Sequence, residues 1–578
     1  MRKLLRFING YKKEAFFAPL FKLTEAVLEL FVPLCVASLI NVGIQNGDKG
    51  HIINMALLMI GLGLLGLLAS VTAQFFSAKA ATGFALKMKN ELFSHIESLS
   101  AIDRDKLGTS TLMTRLTSDS QLVQNGINMF LRLFLRSPFV VLGAAVMAFT
   151  VDSTLAWIFV IIIPLLSVIV FFIMRYTVPM YKKVQRGLDR ITGKTRENLS
   201  GVRVIRAFCK EEDEKKEYRE ALDDLYDMQL SSGRISALLN PITYIIINLA
   251  VVVIVYFSYG RFKLNLIATG SIIALVNYMN QILVELVKLA NLIITITRAL
   301  AAGERIQAVF DISPSIKECD TPKTGDKNSE VAYSFDHVFL SYTGEGRPSL
   351  SDIDFSVKKG EKLGVIGGTG SGKTSLINLL PRVYEASSGT VSVLGVPVKE
   401  WDIKALRSEI AVVPQKAMLF KGTIRDNLKW GNDSATDEEI ITALKRAEAF
   451  EFVSKKEGFL DFMVEARGKN LSGGQRQRLS IARALSKESA SIIILDDSAS
   501  ALDYKTESKL RENIKKLDKT LIVVSQRTSS LLKMDRIAVL DKGVLVDIAP
   551  HEVLLERCQV YKEIYNSQFG SREGKDEQ

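Results

Sequence analysis

Cysteine is scarce in this chain: Cys35, Cys209, Cys319 and Cys558 are the four in 578 residues. No two sit at the spacing of a disulfide framework or a metal knuckle, which excludes a disulfide-stapled secreted scaffold and a thiolate zinc site. The four thiols read as reduced, facing the cytosol or buried. A leader-type cleavage signal is missing as well. The first residues, MRKLLRFINGYKK, are basic, but no short apolar core followed by small residues comes after them. They read as an amphipathic helix lying on a membrane surface. Long apolar runs are what the chain does have, and all of them fall before residue 300.

A mean hydropathy of +0.17 with 24% charged residues therefore averages two unlike halves. Six segments reach the roughly 20 residues needed to cross a bilayer: 16–41, 53–78, 129–150, 154–175, 238–260 and 267–298. The gaps after the first, third and fifth are short. Those after the second and fourth are much longer and helical in pattern, so spans two to five are expected as long helices reaching into the cytoplasm. Residues 175–237 hold fourteen Lys or Arg, which places that stretch inside the cell and both termini with it. The net charge of +11 is thus explained by loops beside apolar spans and calls for no nucleic-acid partner. Residues 1–302 form the expected membrane domain and 303–330, rich in Pro, Gly, Asp and Lys, the linker. In 331–570 strands and helices alternate, the pattern of a mostly parallel sheet. The polar tail 571–578 is expected to be disordered.

The most informative stretch is GVIGGTGSGKTSLINLL, from Gly364 to Leu380. An apolar strand enters a turn of Gly367, Gly368, Thr369, Gly370, Ser371 and Gly372, and Lys373, Thr374 and Ser375 open an apolar-faced helix. This is G-x-x-x-x-G-K-[ST], the phosphate-binding loop. Its glycines allow successive N–H groups to turn inward as an anion cradle, and the helix adds its positive end. Lys373 is placed for the β/γ-phosphates and the Thr374 hydroxyl for Mg²⁺. A glycine-rich turn without function is the alternative, and the strand, the helix and an acidic strand downstream argue against it. The chain is expected to bind ATP with Mg²⁺.

That acidic strand is SIIILDD, residues 491–497. Asp496 stands where a Walker B aspartate would hold the metal, and Asp497 where a carboxylate would orient the attacking water. Upstream, Ser472, Gly473, Gly474 and Gln475 complete LSGGQ at a helix start. Alone, LSGGQ also has a plain helix cap as its minority reading; its position between the phosphate loop and the acidic strand makes it a second anion-binding end.

Taken together, GGTGSGKT (367–374), VVPQ (412–415), LSGGQ (471–475) and IIILDD (492–497) resemble an ATP-binding cassette. With six spans ahead of it, the chain resembles an ABC exporter half-transporter over nearly all its length. The fold so implied is an α-helical membrane domain of six long transmembrane helices followed by an α/β P-loop cassette. The resemblance implies that Tyr342 stacks on adenine and that Gln415 is the Q-loop residue, a further metal contact. It makes Glu465 part of the X-loop and Ser500 to Asp503 the D-loop. It also implies that 197–212 is the second intracellular loop, ending in a short coupling helix that docks on the partner's cassette.

Two positions depart from the family pattern. Asp497 replaces the usual Glu, and Gln526 replaces the switch His after the strand TLIVVS. One methylene less draws a carboxylate back by about an ångström, and misplacement of that size can cost about 10²-fold in rate. Gln can donate to a γ-phosphate but cannot become cationic. With LSGGQ intact, this pattern resembles the degenerate subunit of heterodimeric bacterial multidrug exporters. Its partner would be a different half-transporter carrying the competent site. The expected activity is ATP-driven export of amphipathic small molecules across a bacterial plasma membrane. A lipid or peptide exporter, a slow homodimer and an ATP-gated channel are the other readings. Within the spans, Glu25, Glu29, Gln281 and Glu285 are candidates for a cavity that admits cationic amphiphiles; the alternative is that the acids pair with Lys288 or with a partner chain.

Overall fold

The structure, a computed structural model, describes residues 2–319, 321–326, 328–342, 348–498 and 502–570. The chain divides into two compact units, one of residues 1–98 and 107–313 and one of 99–106 and 314–578. The expected disordered tail, 571–578, lies outside the described residues.

The first unit is helical throughout. Its helices are α1 (Lys12–Ser38) and α2 (Lys49–Ser98), with α3 (Ala101–Leu107) passing into the second unit; then come α4 (Thr109–Thr114), α5 (Ser120–Leu133), α6 (Arg136–Val151), α7 (Ser153–Ala207), α8 (Glu211–Ala237), α9 (Leu239–Lys263) and α10 (Thr269–Phe310). At 1.5 Å per residue the 50-residue α2 and 55-residue α7 are about 75 and 80 Å long, far beyond a hydrocarbon core of about 30 Å. Among the described residues, five helical stretches are long and apolar enough to cross a membrane: Lys12–Ile44, Lys49–Ser98, Thr109–Val151, Ser153–Ala207 and Glu211–Lys263. The sixth expected span falls in α10, which is not among the five and carries Gln281, Glu285 and Lys288 along one side.

Small residues set the packing of α2. Ala69, Ala73, Ser77, Ala80 and Ala81 are buried, while Leu57, Leu58, Leu64, Leu65, Leu67 and Leu68 point outward. Without a hydrophobic force between helices in lipid, close approach over small side chains is what holds them.

Three expectations change here. The N-terminal segment is a short 3-10 helix, Arg2–Ile8, whose Leu4 and Phe7 are buried beside Phe84 and Val309 rather than turned to a membrane; its apolar face is spent inside the protein. Next, α10 continues to Phe310, past the expected linker start, because Ala302, Ile306 and Val309 extend its buried face. Finally, no separate short helix closes the 197–212 hairpin: α7 runs to Ala207 and α8 starts at Glu211, and the turn between them carries an exposed Phe208 and a left-handed Cys209 (φ 52°).

The second unit is built on one sheet. Its strands are β1 (Val331–Leu340), β2 (Leu350–Lys358), β3 (Lys362–Gly367), β4 (Ser388–Val393), β5 (Val396–Pro397) and β6 (Ile410–Val413). A two-stranded ribbon, β7 (Gly422–Thr423) with β8 (Met463–Val464), stands apart, and β9 (Ile492–Asp496), β10 (Thr520–Val524), β11 (Arg536–Asp541) and β12 (Val544–Ala549) complete the set. The order in the large sheet is β5-β4-β1-β2-β12-β11-β3-β10-β9-β6. The expected mostly parallel sheet is mixed: β11, β3, β10, β9 and β6 run parallel, whereas β1 pairs antiparallel with β2 and β4, and β12 with β11. The antiparallel pairs β1–β2 and β11–β12 join consecutive strands and need no crossover helix, whereas β4 reaches β1 only after β2, β3 and a helix.

Residues 99–106, from the membrane-side sequence, are part of this unit. Asp103 holds them: its carboxylate accepts from Ser100 N (3.2 Å), Ser100 Oγ (2.7 Å), Ser315 N and Ser315 Oγ (both 3.0 Å).

Candidate functional site

Register explains why the motif residues meet. Val524 of β10 is level with Val365 of β3 and with Asp496 of β9. Three adjacent parallel strands therefore end together, and the chain leaving each enters the same crevice, the place where open α/β sheets bind ligands. From β3 comes the glycine turn, from β9 the two acids, from β10 Ser525 and Gln526. A cleft of about 380 Å³ is lined there by Thr369 to Ser375, Gln415, Asp496, Asp497, Gln526 and Ser349. Ser349 was not foreseen; no motif marks it.

The turn has the backbone a phosphate cradle needs. Gly370 and Gly372 adopt φ of 80° and 94°, angles open to glycine at no steric cost. A Cβ on Gly367 would collide with the Leu540 carbonyl oxygen, and one on Gly372 would come within 2.8 Å of Ser349 O. The Lys373 ammonium folds onto the loop, donating to Gly367 O (2.9 Å) and Gly368 O (2.7 Å). Burial pulls its pKa down, against the attraction of Asp496 and Asp497.

Thr374 Oγ1 donates to Asp496 Oδ2 at 3.2 Å. A hydroxyl and a carboxylate brought together at the mouth of an anion cradle are the donor set Mg²⁺ takes, hard oxygens with room for phosphate and water. Burial raises the Asp496 carboxyl, and the neighbouring Asp497 adds to the effect. Asp497 is raised as well, chiefly by burial, although a hydrogen bond with Gln415 lowers it. Asp497 also holds a left-handed backbone (φ 41°), with its N–H on Val524 O at 2.9 Å. Such an angle in a non-glycine residue is strained and persists where the surroundings impose it.

The remaining expected residues are placed differently. Tyr342 lies two residues past the end of β1; its hydroxyl donates to Ser375 Oγ at 2.8 Å, and its ring meets Tyr384 edge-on at 5.0 Å. Ser472 caps the helix Gly473–Leu485 in a reciprocal box with Gln475. Both readings of LSGGQ are compatible, since the cap orients a helix end that remains exposed at Ser472 and Gly473. None of 472–475 lines the cleft, and Glu465 is exposed at the start of the preceding turn. Of the expected D-loop, Ser500 and Ala501 lie outside the described residues, while Asp503 caps the next helix by accepting from Thr506 N.

In the first unit three of the four polar span residues, Glu25, Glu29 and Glu285, meet a cation that sequence reading passed over. Arg136 donates to Glu285 (2.5 Å) and to Glu29 (2.6 Å), and lies 3.9 Å from Glu25. Glu285 also takes Ser137 (2.7 Å) and Lys288 (2.8 Å), and Glu25 takes Lys22 (2.5 Å), which donates on to Ser70. Three acids thus face three bases, and the expected free acids of a cation-admitting cavity are compensated inside the chain. Gln281 stands apart from this network, with its Oε1 buried and unpartnered among the described residues. Counting intramembrane acids against available bases would have pointed to Arg136.

Residues 15–286 match the ABC transporter transmembrane region and 350–500 the ABC transporter domain. The chain is 34% identical to the uncharacterized ABC transporter ATP-binding protein YfiB of Bacillus subtilis, over 99% of both chains. It is 27% identical to an ATP-dependent lipid A-core flippase of Vibrio vulnificus, over 98% of this chain and 97% of the other. A solved bacterial Atm1-family ABC exporter with ATP bound superposes with a TM-score of 0.81 at 22% identity, covering 97% of this chain and 99% of that one. With membrane region and cassette in one polypeptide, this protein belongs to the ABC transporter family and is a transport ATPase that takes ATP with Mg²⁺.

Proposed function

We propose that this chain is the degenerate-site half of a heterodimeric exporter of amphipathic small molecules in a bacterial plasma membrane. Carrying the reading is the pairing of Asp497 and Gln526 in one cleft with an intact LSGGQ whose Ser472 and Gly473 are exposed. In the cleft, Lys373 and the turn N–H groups bind the phosphates, Thr374 and Asp496 hold Mg²⁺ together with Gln415, and Tyr342 stacks on the base. When bound there, the metal would supply charge neutralisation for the phosphates. Asp497 is the short carboxylate at the water-orienting position, tied to Gln415, and Gln526 is a neutral donor where a cation is usual. ATP is therefore held well here and cleaved slowly, while LSGGQ completes the catalytic site on the partner. The test is affinity capture of this chain from native membranes in mild detergent, followed by mass analysis. A one-to-one complex with a different half-transporter is expected. A dimer of this chain alone, with brisk ATPase activity lost in Asp497→Ala, would overturn the reading.

Lipid export is the second reading. It is favoured by the closed charge network around Arg136, which leaves apolar surface rather than free acids for recognition. Between α7 and α10 a cleft of about 460 Å³ is lined by Val170, Phe171, Met174, Leu286 and Ile293, with Arg175 among its walls. An acyl chain with an anionic headgroup suits that lining, and lipid A-core flippases stand among the relatives.

A further inference from the structure

We infer that Gln568, near the end of the C-terminal helix Gln559–Phe569, is a positioning residue that fixes the loop presenting Gln526 to the nucleotide. The inference rests on the proposed contact of Gln526 with the γ-phosphate. Gln526 follows β10 in an exposed turn, so its side chain has a defined place only if the backbone around it is held.

Two clamps hold it. On one flank, the buried Glu507 accepts from Ser530 Oγ at 2.8 Å and pairs with Arg511, whose guanidinium donates to Ser529 O at 2.7 Å. On the other, one side chain makes three hydrogen bonds. Gln568 Oε1 accepts from Thr528 N and Thr528 Oγ1, both at 2.8 Å, and Gln568 Nε2 donates to Gln526 O at 2.7 Å. A backbone N–H only donates and a carbonyl only accepts, so these partners fix which end of the amide faces which. Only an amide of this length both accepts at 528 and donates at 526. Glu keeps the two Thr528 bonds and loses the third; Asn is one methylene short.

The helix bearing Gln568 is itself anchored to the strand that carries the phosphate loop. Tyr561 is fully buried in one cluster with Ile366, the residue before Gly367, and with Ile537 and Val539, while its hydroxyl meets His551 Nδ1 at 2.8 Å. Gln568 therefore spans, through one rigid path, from β3 to the backbone of residue 526. It lies beyond 350–500, the stretch matched to the ABC transporter domain.

The test uses the full-length chain in its native assembly, photolabelled with azido-ATP and scored on this chain after electrophoretic separation, with ATP or ADP as competitor. Gln568→Ala is expected to weaken competition by ATP about tenfold, the loss of one charge-assisted contact, and to leave competition by ADP unchanged. Gln568→Glu is expected to fall between Gln568→Ala and the parent. Equal weakening of ATP and ADP would mark general damage to the fold and overturn the positioning role. So would unchanged ATP competition in Gln568→Ala when Gln526→Ala loses it. If Gln526→Ala itself competes normally with ATP, the γ-phosphate reading fails, and the positioning role falls with it.

Discussion

The guanidinium of Arg136 and the carboxylate of Glu285 meet at 2.5 Å in the interior of the helical unit, and both side chains are almost completely buried. With Glu29 on the second guanidinium nitrogen and Lys288 on Glu285, the pair ties α1, α6 and α10 together.

Breaking that pair on one side strands buried charge. Arg136→Met is expected to cost about 3–5 kcal/mol, the usual penalty for removing one member of a buried ion pair. Adding Glu285→Leu and Glu29→Leu is expected to recover most of the loss. Thermal unfolding of the detergent-solubilised protein measures both, and equal stabilities for Arg136→Met and the parent would contradict the account.

Asp103 gives a pH signature in the second unit. Burial raises its carboxyl, but the four hydrogen bonds from Ser100 and Ser315 outweigh burial and hold it below the usual range. A lowered carboxyl pKa contributes stability that is present above the unfolded value of about 3.9 and lost as pH falls through the lower folded value. Asp103→Ala is expected to cost about 2 kcal/mol near neutrality, and the gap to the parent is expected to close as pH falls below about 4. Denaturant titration followed by the fluorescence of the buried Trp401 reads it.

Metal dependence isolates the Thr374–Asp496 pair. The parent is expected to bind ATP more tightly when Mg²⁺ is added, and Asp496→Asn to bind it equally with and without Mg²⁺. Because burial raises the Asp496 carboxyl, the Mg²⁺ effect in the parent is expected to fade at a higher pH, as acid is added, than an exposed aspartate would allow. Titration calorimetry at several pH values checks both statements.

Placing the residues usual in the exporter pattern tests the proposal that this site is degenerate. Asp497→Glu with Gln526→His is expected to raise hydrolysis at this chain's own site by about 10²-fold, read as phosphate release with the partner's catalytic carboxylate removed. No gain would show that the surrounding shell, not these two side chains, limits the site.

What the sequence by itself determined was chemistry carried by local pattern. The glycines, Lys373 and Thr374 form a cradle because a strand–turn–helix of that spacing has one geometry, and Asp496 and Asp497 end an apolar strand that has to be buried. Length and apolarity mark five of the six expected spans without reference to neighbours among the described residues, while α10 is not among the stretches so marked. Tertiary structure decided whatever depends on which segments come together across long separations. The parallel register that brings Asp496 and Gln526 to the phosphate loop, the mixed character of the sheet, and the capture of 99–106 by the second unit leave no local periodicity to read. Arg136 lies 149 residues from Glu285, and Gln568 lies 42 residues from Gln526. Each side chain is unremarkable in its own stretch, and its role comes from the partner that packing sets against it.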